Sequence, residues 1–277
     1  MTTSTLEGVS DWTSVDPAAV SRREMPGGWS IGLPVVYTDW LWASAFFPAK
    51  ESEVRKRLPD DSLQPLRLLP GVALAVVGVM KYTTITDVEP YDEMVVGYPV
   101  ERGPLRSVFG KAAFISPALH PERFHNFGLF VHHLPVSHRR AYEFGVELWG
   151  YPKTVVDFSW ANTDKTLAAT VGASADGSVR GLSLSVPRVA NRPMRQEQIT
   201  YTVQNGELVE TPVRMEGKCG LRLFGNGGKL GLGDDPVSRD LASVLISRRP
   251  VGTFYAEVAR SVLMDAKSRT PLGRRGG

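Results

Sequence analysis

Hydrophobic and β-branched residues are gathered in short runs along most of the chain, a pattern typical of β-strands. Val72 to Thr86 is a long β-rich run, and Tyr91 to Val100 is a second one. Phe127 to His133 is apolar or alternating, and Val251 to Leu263 is a final strand-like segment. These runs predict a chain in which strands dominate.

Turn-forming dipeptides separate the shorter runs of the second half. Asp176-Gly177 and Asn205-Gly206 are each flanked by β-prone residues. Both dipeptides accept the positive φ angles of a two-residue hairpin loop, so each of them predicts a β-hairpin.

Segments with a helical pattern are fewer, and we expect them at residues 48–58, 138–148 and 237–246. For the second helix, Ser137 is a suitable N-cap and Gly150 a suitable C-terminal cap. Pro152 prevents that helix from continuing. Lys153 is therefore predicted just past a helix end, at the entry to a strand over residues 154–160.

Neither an internal repeat nor a break in composition divides the 277 residues. We therefore predict a single α+β domain of predominantly antiparallel strands, at residues 25–265. Residues 1–24 are predicted to be a flexible N-terminal arm, and residues 266–277 a flexible basic tail.

Charge and composition limit the classes of partner. The net charge is only +3, and Lys and Arg do not gather into one long patch, so we expect no nucleic-acid partner. No apolar run reaches 18 residues, so no membrane span is predicted. The single cysteine, Cys219, cannot form an internal disulfide, which suits a cytoplasmic protein.

The segment Glu147-Leu148-Trp149-Gly150-Tyr151-Pro152-Lys153 carries the main chemical signal. Its lysine has aromatic and apolar neighbours on both sides in the sequence. A lysine held among apolar groups loses hydration of its ammonium form, which favours the neutral amine. A neutral amine attacks carbonyl carbon, so Lys153 is a candidate Schiff-base nucleophile.

This segment resembles the E-x-x-x-Y-P-K motif of the acetoacetate decarboxylase family, whose lysine forms the Schiff base. Upstream, Tyr91-Asp92-Glu93 resembles the Y-x-E element of the same family, and the resemblance covers roughly residues 25–265. It implies a β-rich barrel-like or cone-like fold and a homo-oligomer. It also implies a lyase that acts on a small keto acid without a cofactor.

The chain departs from the family pattern near the nucleophile. A second lysine usually follows the nucleophile in that family, and Thr154 stands there instead. The family's arginine falls within residues 36–39, where there is none, and a second acidic residue falls within the apolar residues 75–79. Decarboxylation of a β-keto acid therefore competes with aldol, dehydration or cyclisation chemistry through the same iminium. A non-catalytic protein that binds a small ligand is the second alternative.

Five further residues complete the predicted site. Glu93 is the candidate general acid and base beside the iminium. Tyr91 lies two residues earlier, on the same strand face, where its hydroxyl could orient the substrate. Trp149 and Tyr151 are predicted to contact the substrate. His132 and His133 should point to opposite faces of one strand, and His133 is predicted to line the pocket.

The histidines raise the question of a metal site. All five lie between positions 120 and 138, but their spacing fits no standard metal-binding motif. We therefore predict no metal.

Overall fold

The computed structural model describes residues 12–103, 127–174, 179–223 and 227–273. Their helices are a 3-10 turn at Pro17–Ala19, α1 (Glu51–Arg57), α2 (Arg139–Trp149) and α3 (Pro236–Val244). Their strands are β1 (Ser21–Met25), β2 (Trp29–Leu33), β3 (Val35–Lys50), β4 (Leu63–Pro65), β5 (Arg67–Leu69), β6 (Val72–Tyr82), β7 (Thr84–Ile85), β8 (Tyr91–Arg102), β9 (Phe127–Val136), β10 (Lys153–Val155), β11 (Phe158–Trp160), β12 (Thr166–Val171), β13 (Leu182–Pro187), β14 (Arg192–Gln204), β15 (Glu207–Leu223), β16 (Lys229–Gly231), β17 (Gly252–Leu263) and β18 (Ser268–Pro271).

Seven strands close into a barrel in the order β9, β14, β15, β17, β3, β6 and β8, after which β8 pairs with β9 again. The β9–β14 pair is parallel, and the other six pairs of the ring are antiparallel. This architecture confirms the predicted α+β fold class with mainly antiparallel strands.

The hairpin predicted at Asn205-Gly206 connects β14 to β15, which form the longest strand pairing of the barrel. Asn205 has φ 51° and Gly206 has φ 79°, as a hairpin loop with two left-handed residues requires. The other predicted hairpin, at Asp176-Gly177, lies outside the described residues.

The barrel has an outer core and an inner core. Strands β11, β12, β13 and β16 form a second sheet, whose Leu167, Leu184 and Val186 join the outer core. Helices α1 and α3 add Val54 and Leu241 to the same cluster. The inner core is a separate cluster of side chains from the barrel strands, together with Ala141, Phe144 and Trp149 of α2. Helix α2 therefore packs its apolar face against the inner core.

The ends of α2 follow the sequence signals only in part. Gly150 takes the predicted left-handed cap, with φ 63°. The N-cap is His138 rather than Ser137, and its side chain makes no cap hydrogen bond. The Ser137 hydroxyl instead accepts a hydrogen bond from the backbone N–H of Asp92, at 2.8 Å, and so fastens α2 to β8. Among the described helices, none is long and apolar enough to cross a membrane.

A β-bulge interrupts β9 beside β8. Val96 is opposite His133, but the next residue of β8, Gly97, is opposite Val131, so His132 is an extra residue in the strand. Val131 lies in the inner core before the bulge, and Leu134 lies in the inner core after it. Before the bulge the odd-numbered residues of β9 face the inner core, and after the bulge the even-numbered residues do.

Regular structure extends beyond the predicted domain at both ends. Residues 21–24, assigned to the arm, belong to β1, which pairs with β2 in an antiparallel ribbon. Residues 268–271, assigned to the tail, form β18 along the edge of β15. Both segments are polar on their exposed faces, and this composition led to their prediction as flexible. Backbone pairing with β2 and β15 makes them strands.

Candidate active site

Lys153 enters the barrel from a short strand that follows α2. Strand β10 runs parallel to β9, with Lys153 opposite Leu134. The lysine side chain is only 3% exposed. Its methylene groups pass over Gly145 of α2, where an added Cβ would lie 2.5 Å from Cε of Lys153. A glycine at this helix position therefore leaves the space through which the lysine reaches inward.

The ammonium of Lys153 forms a buried ion pair with Glu93 of β8. Nζ of Lys153 lies 2.9 Å from Oε2 of Glu93, whose side chain is 9% exposed. The Tyr82 hydroxyl donates to the other carboxylate oxygen at 3.4 Å. Two charges removed from water are tolerated only when they pair closely, as these do.

Aromatic rings surround the same nitrogen. Nζ of Lys153 lies 5.0 Å from the ring centroid of Phe144, 5.5 Å from that of Tyr91 and 5.8 Å from that of Tyr151. Ring faces at these distances attract a cation but offer little hydration. The amine is therefore held in an aromatic pocket with Glu93 as its charged partner.

Two tyrosine hydroxyls meet beside this pocket. The hydroxyls of Tyr37 and Tyr91 are 3.3 Å apart, and that of Tyr151 lies 2.7 Å from Oγ1 of Thr200. Burial is the main cause that raises the pKa of Tyr37, Tyr91 and Tyr151, and the negative charge of Glu93 adds to it. These phenols therefore remain neutral and can donate hydrogen bonds to an oxygen atom in the cavity.

The pocket opens into a cavity of about 240 Å³ inside the barrel. All seven barrel strands contribute to its walls, and β10 contributes Lys153. Most of its lining is aromatic or aliphatic. Such a cavity, with a few convergent polar groups at one place, has the character of a small-molecule site.

Four of the predicted site residues meet in this cavity. Lys153, Glu93, Tyr91 and Tyr151 all line it. Trp149 does not: it is fully buried behind Tyr151, and its indole N–H donates to the carbonyl of Met264 at 3.1 Å. The structure therefore assigns Trp149 to the core that supports the cavity wall.

His133 also lies away from the cavity. Nε2 of His132 and Nε2 of His133 both contact Oδ2 of Asp240 in α3, at 2.9 and 3.0 Å. The expectation that these two rings face opposite sides of β9 is wrong, because the bulge turns both toward the outer core. Strict alternation from Val131 would have placed His133 inside the barrel.

This histidine pair and Asp240 form a cluster between the barrel wall and α3. Their three nitrogen and oxygen atoms lie within 4.8 Å of one another, close enough to be possible metal ligands. Arg57 of α1 already binds the same carboxylate at 2.7 Å. Burial alone would raise the pKa of Asp240, but hydrogen bonds from His132, His133 and Arg57 hold it well below its usual range. An ion-pair network thus accounts for the cluster.

Several residues at the site had no clear sequence signal. Tyr37 and Tyr82 come from β3 and β6, and no spacing relates either of them to Lys153. Gly145 carried a weak signal, since a glycine inside a helix is costly and needs a reason. Thr154, where the family usually has a second lysine, is exposed, so a side chain at this position points away from the cavity.

Comparisons with known proteins agree with this architecture. The sequence profile of the family described as acetoacetate decarboxylase matches residues 23–266. No curated protein sequence matches the chain. An acetoacetate decarboxylase from Legionella pneumophila has 14% identity and a TM-score of 0.54, with 97% of this chain and 99% of that chain covered.

Two further solved structures have the same fold. One, from structural studies of acetoacetate decarboxylase, has 13% identity and a TM-score of 0.55, with coverage of 85% of this chain and 90% of that chain. The other is the enduracididine biosynthesis enzyme MppR complexed with pyruvate, at 12% identity and a TM-score of 0.53, with coverage of 87% and 93%. The profile match extends over most of the chain, and on this evidence the protein belongs to the acetoacetate decarboxylase family.

Proposed function

We propose that the protein is a lyase that forms a Schiff base between Lys153 and a carbonyl substrate. The observation that carries the proposal is the buried contact of 2.9 Å between Nζ of Lys153 and Oε2 of Glu93 inside a ligand-sized cavity. A nucleophile and a proton carrier in hydrogen-bonding contact are what imine chemistry requires. Membership of the family supports the same function.

The ion pair supplies the neutral amine by internal proton transfer. When a substrate displaces water from the cavity, a proton passes from the ammonium of Lys153 to Glu93, leaving an amine and a carboxylic acid. The amine attacks the carbonyl carbon and forms a carbinolamine. Glu93 returns a proton to the carbinolamine oxygen, which leaves as water as the nitrogen becomes an iminium.

The iminium then accepts the electron pair of a neighbouring bond. In a retro-aldol step, Glu93 removes the proton of a β-hydroxyl group, the bond between the α and β carbons breaks, and an aldehyde leaves. The electron pair remains on the substrate as an enamine. Glu93 delivers its proton to the α carbon, and water hydrolyses the iminium to release the second product.

The geometry favours aldol-type or dehydration chemistry over decarboxylation. Glu93 is placed to move protons, which aldol and dehydration reactions need at two stages. Decarboxylation of a β-keto acid would bring a second carboxylate beside Glu93. Among the described residues that line the cavity, the only cation is Lys153, and Glu93 already pairs with it.

Trapping with borohydride tests the proposal directly. The protein is incubated with β-hydroxy ketones, β-keto acids and pyruvate, reduced, and examined by intact mass and peptide mapping. We expect a stable adduct on Lys153 and none in Lys153→Met. A matched control is Lys56→Met, which removes an exposed lysine of α1.

The released product then identifies the reaction. An aldehyde from a β-hydroxy ketone supports aldol-type cleavage, and carbon dioxide from a β-keto acid supports decarboxylation. If no carbonyl compound yields an adduct on Lys153, the proposal fails and the family member is a binding protein.

A further inference from the structure

The cavity that holds Lys153 is long in the direction of the strands. Glu93 and Pro99 both line it from β8, and they lie six positions apart. Six residues of extended strand span about 20 Å. In β17, Leu263 lines the cavity near the lysine end and Phe254 lines it near the other end. The amine thus lies at one end of an elongated space.

Away from the lysine, the walls are apolar and partly aromatic. The rings of Trp42 and Phe254 pack edge to face with centroids 4.7 Å apart. Both rings are half-buried, as is Phe46, and Leu221 beside them is exposed. All four line the cavity, so its far end reaches the surface through apolar side chains. Such walls gain free energy by covering an apolar ligand.

Each charged residue of the described lining already has an ion-pair partner. Lys153 pairs with Glu93, and Glu197 accepts a hydrogen bond from Arg214 at 2.8 Å. A substrate carboxylate near the lysine would therefore lie beside Glu93 in a cavity with little water, where like charges repel strongly. Lys153 is the one cation among the lining residues that the structure describes, so that carboxylate would have to take Lys153 from Glu93.

The polar groups that remain near the lysine are neutral. The paired hydroxyls of Tyr37 and Tyr91, 3.3 Å apart, can turn toward a ligand oxygen. A hydroxyl donor suits a ketone or hydroxyl oxygen, whereas a carboxylate is usually bound by a charged partner.

We propose that the site takes an uncharged carbonyl compound with an apolar tail, such as a medium-chain β-hydroxy ketone. Its carbonyl carbon lies at Lys153, a second oxygen lies at the Tyr37–Tyr91 pair, and its tail extends toward Phe46 and Phe254. The proposal rests on the proposed function for the covalent step, and adds to it the class of substrate.

Binding and adduct formation are measured separately, so that the two proposals can fail independently. Non-covalent binding is measured by calorimetry in the double variant Lys153→Met with Glu93→Gln, which keeps the cavity neutral and blocks the Schiff base. Adduct formation is measured by borohydride trapping in the unaltered protein. The ligands are 2-pentanone, 2-octanone and 2-undecanone, with 4-oxopentanoate and its uncharged isostere 5-methyl-2-hexanone.

We expect affinity to rise about fourfold for each methylene group added along the ketone series. The isostere should bind at least about tenfold more tightly than 4-oxopentanoate, because the carboxylate loses its hydration in the cavity. Equal affinity along the series, or tighter binding of 4-oxopentanoate, overturns the substrate class. Binding of the long ketones without any adduct in the unaltered protein overturns the proposed function and leaves the substrate class standing. An adduct that forms only with 4-oxopentanoate overturns the substrate class and leaves the proposed function standing.

Variants of the far end give a second test. Val76 is a buried lining residue of β6 in the half of the cavity beyond Glu93, and Val76→Phe should weaken 2-undecanone at least about tenfold while 2-pentanone is unaffected. Phe254→Ala, at a half-buried position, should weaken the long ketone selectively even if Val76→Phe does not fold. Ile246→Ala is the control, since Ile246 is 52% exposed and does not line the cavity. Equal losses for both ketones in both far-end variants contradict the placement of the tail.

Discussion

Lys153 reaches Glu93 because Gly145 has no side chain. A Cβ built at Gly145 would lie 2.5 Å from Cε and 2.7 Å from Cδ of Lys153, both well inside van der Waals contact. The lysine stem is flexible, so an added methyl group would push it aside rather than break the helix. Contact with helix α2 thus limits the positions that the amine of Lys153 can occupy.

Gly145→Ala is therefore expected to slow adduct formation on Lys153 by about 100-fold, as a displacement of about 1 Å at a reacting group can do. Its free energy of unfolding should change by no more than about 1 kcal/mol, because alanine is the better helix former by a similar amount. The measurements are the rate of borohydride-trapped adduct and urea denaturation.

Arg139→Ala, at an exposed position in the first turn of the same helix, is the matched control. An unchanged trapping rate in Gly145→Ala would show that Lys153 reaches its position without the space that Gly145 leaves.

The Lys153–Glu93 pair is expected to show strong coupling in stability. Lys153→Met and Glu93→Gln should each lower the free energy of unfolding by about 3–5 kcal/mol when the remaining charge stays ionised, because a buried charge is left unpaired. The double variant should lose clearly less than the sum of the two losses. Urea denaturation of all four proteins measures this cycle. Additive losses would mean that the two side chains do not form the pair in solution.

Trp149 is expected to stabilise the fold rather than to select the substrate. Trp149→Phe removes the hydrogen bond from the buried indole N–H to the carbonyl of half-buried Met264, at a cost of about 0.5–1.5 kcal/mol in the free energy of unfolding. The order of preference among ketone ligands should stay as in the unaltered protein. A changed preference with unchanged stability would restore the prediction that Trp149 contacts the substrate.

The Asp240 cluster is expected to contribute stability that depends on acid pH. Contacts with His132, His133 and Arg57 hold the pKa of Asp240 below its unfolded value of about 3.9. A carboxyl group with a lowered folded pKa stabilises the protein above the unfolded value, and this contribution is lost as the pH falls below it. The loss of unfolding free energy between pH 5 and pH 3 should therefore be smaller in Asp240→Asn.

The control for this comparison is Asp61→Asn, at an exposed position. Equal acid sensitivity in Asp240→Asn and in the unaltered protein would show that Asp240 does not contribute to the pH dependence of stability.

Local signals in the sequence predicted local structure well. Asn205, Gly206 and Gly150 all adopt left-handed backbone. They correctly predicted the loop between β14 and β15 and the end of α2. Asp235 accepts a hydrogen bond from the N–H of Ser238 and caps α3, which begins within one residue of the predicted start at 237. In these cases, one or two residues determine the conformation by themselves.

The site was harder to predict, because its parts come from distant strands. Lys153 was predicted from its apolar neighbours in the sequence and from the family motif, and Glu93 from the resemblance; both line the cavity. Tyr37 joins them only because β3 and β8 flank β6 in the closed ring, a relationship that no spacing encodes. Ser137 failed as a cap because a backbone N–H of β8 competes for its hydroxyl.

The extra residue at His132 also has a consequence for engineering. Two successive interior side chains of β9, Val131 and Leu134, are separated by three positions instead of two. Deleting His132 would restore simple alternation and keep both Val131 and Leu134 on the inner face, because the bulge takes up one residue without changing the strand beyond it. Leu134 is opposite Lys153 in the parallel pairing of β9 with β10, so the register of β9 beyond the bulge positions the lysine. One further residue inserted between Val131 and Leu134 would instead turn Leu134 to the opposite face and displace the strand that carries Lys153.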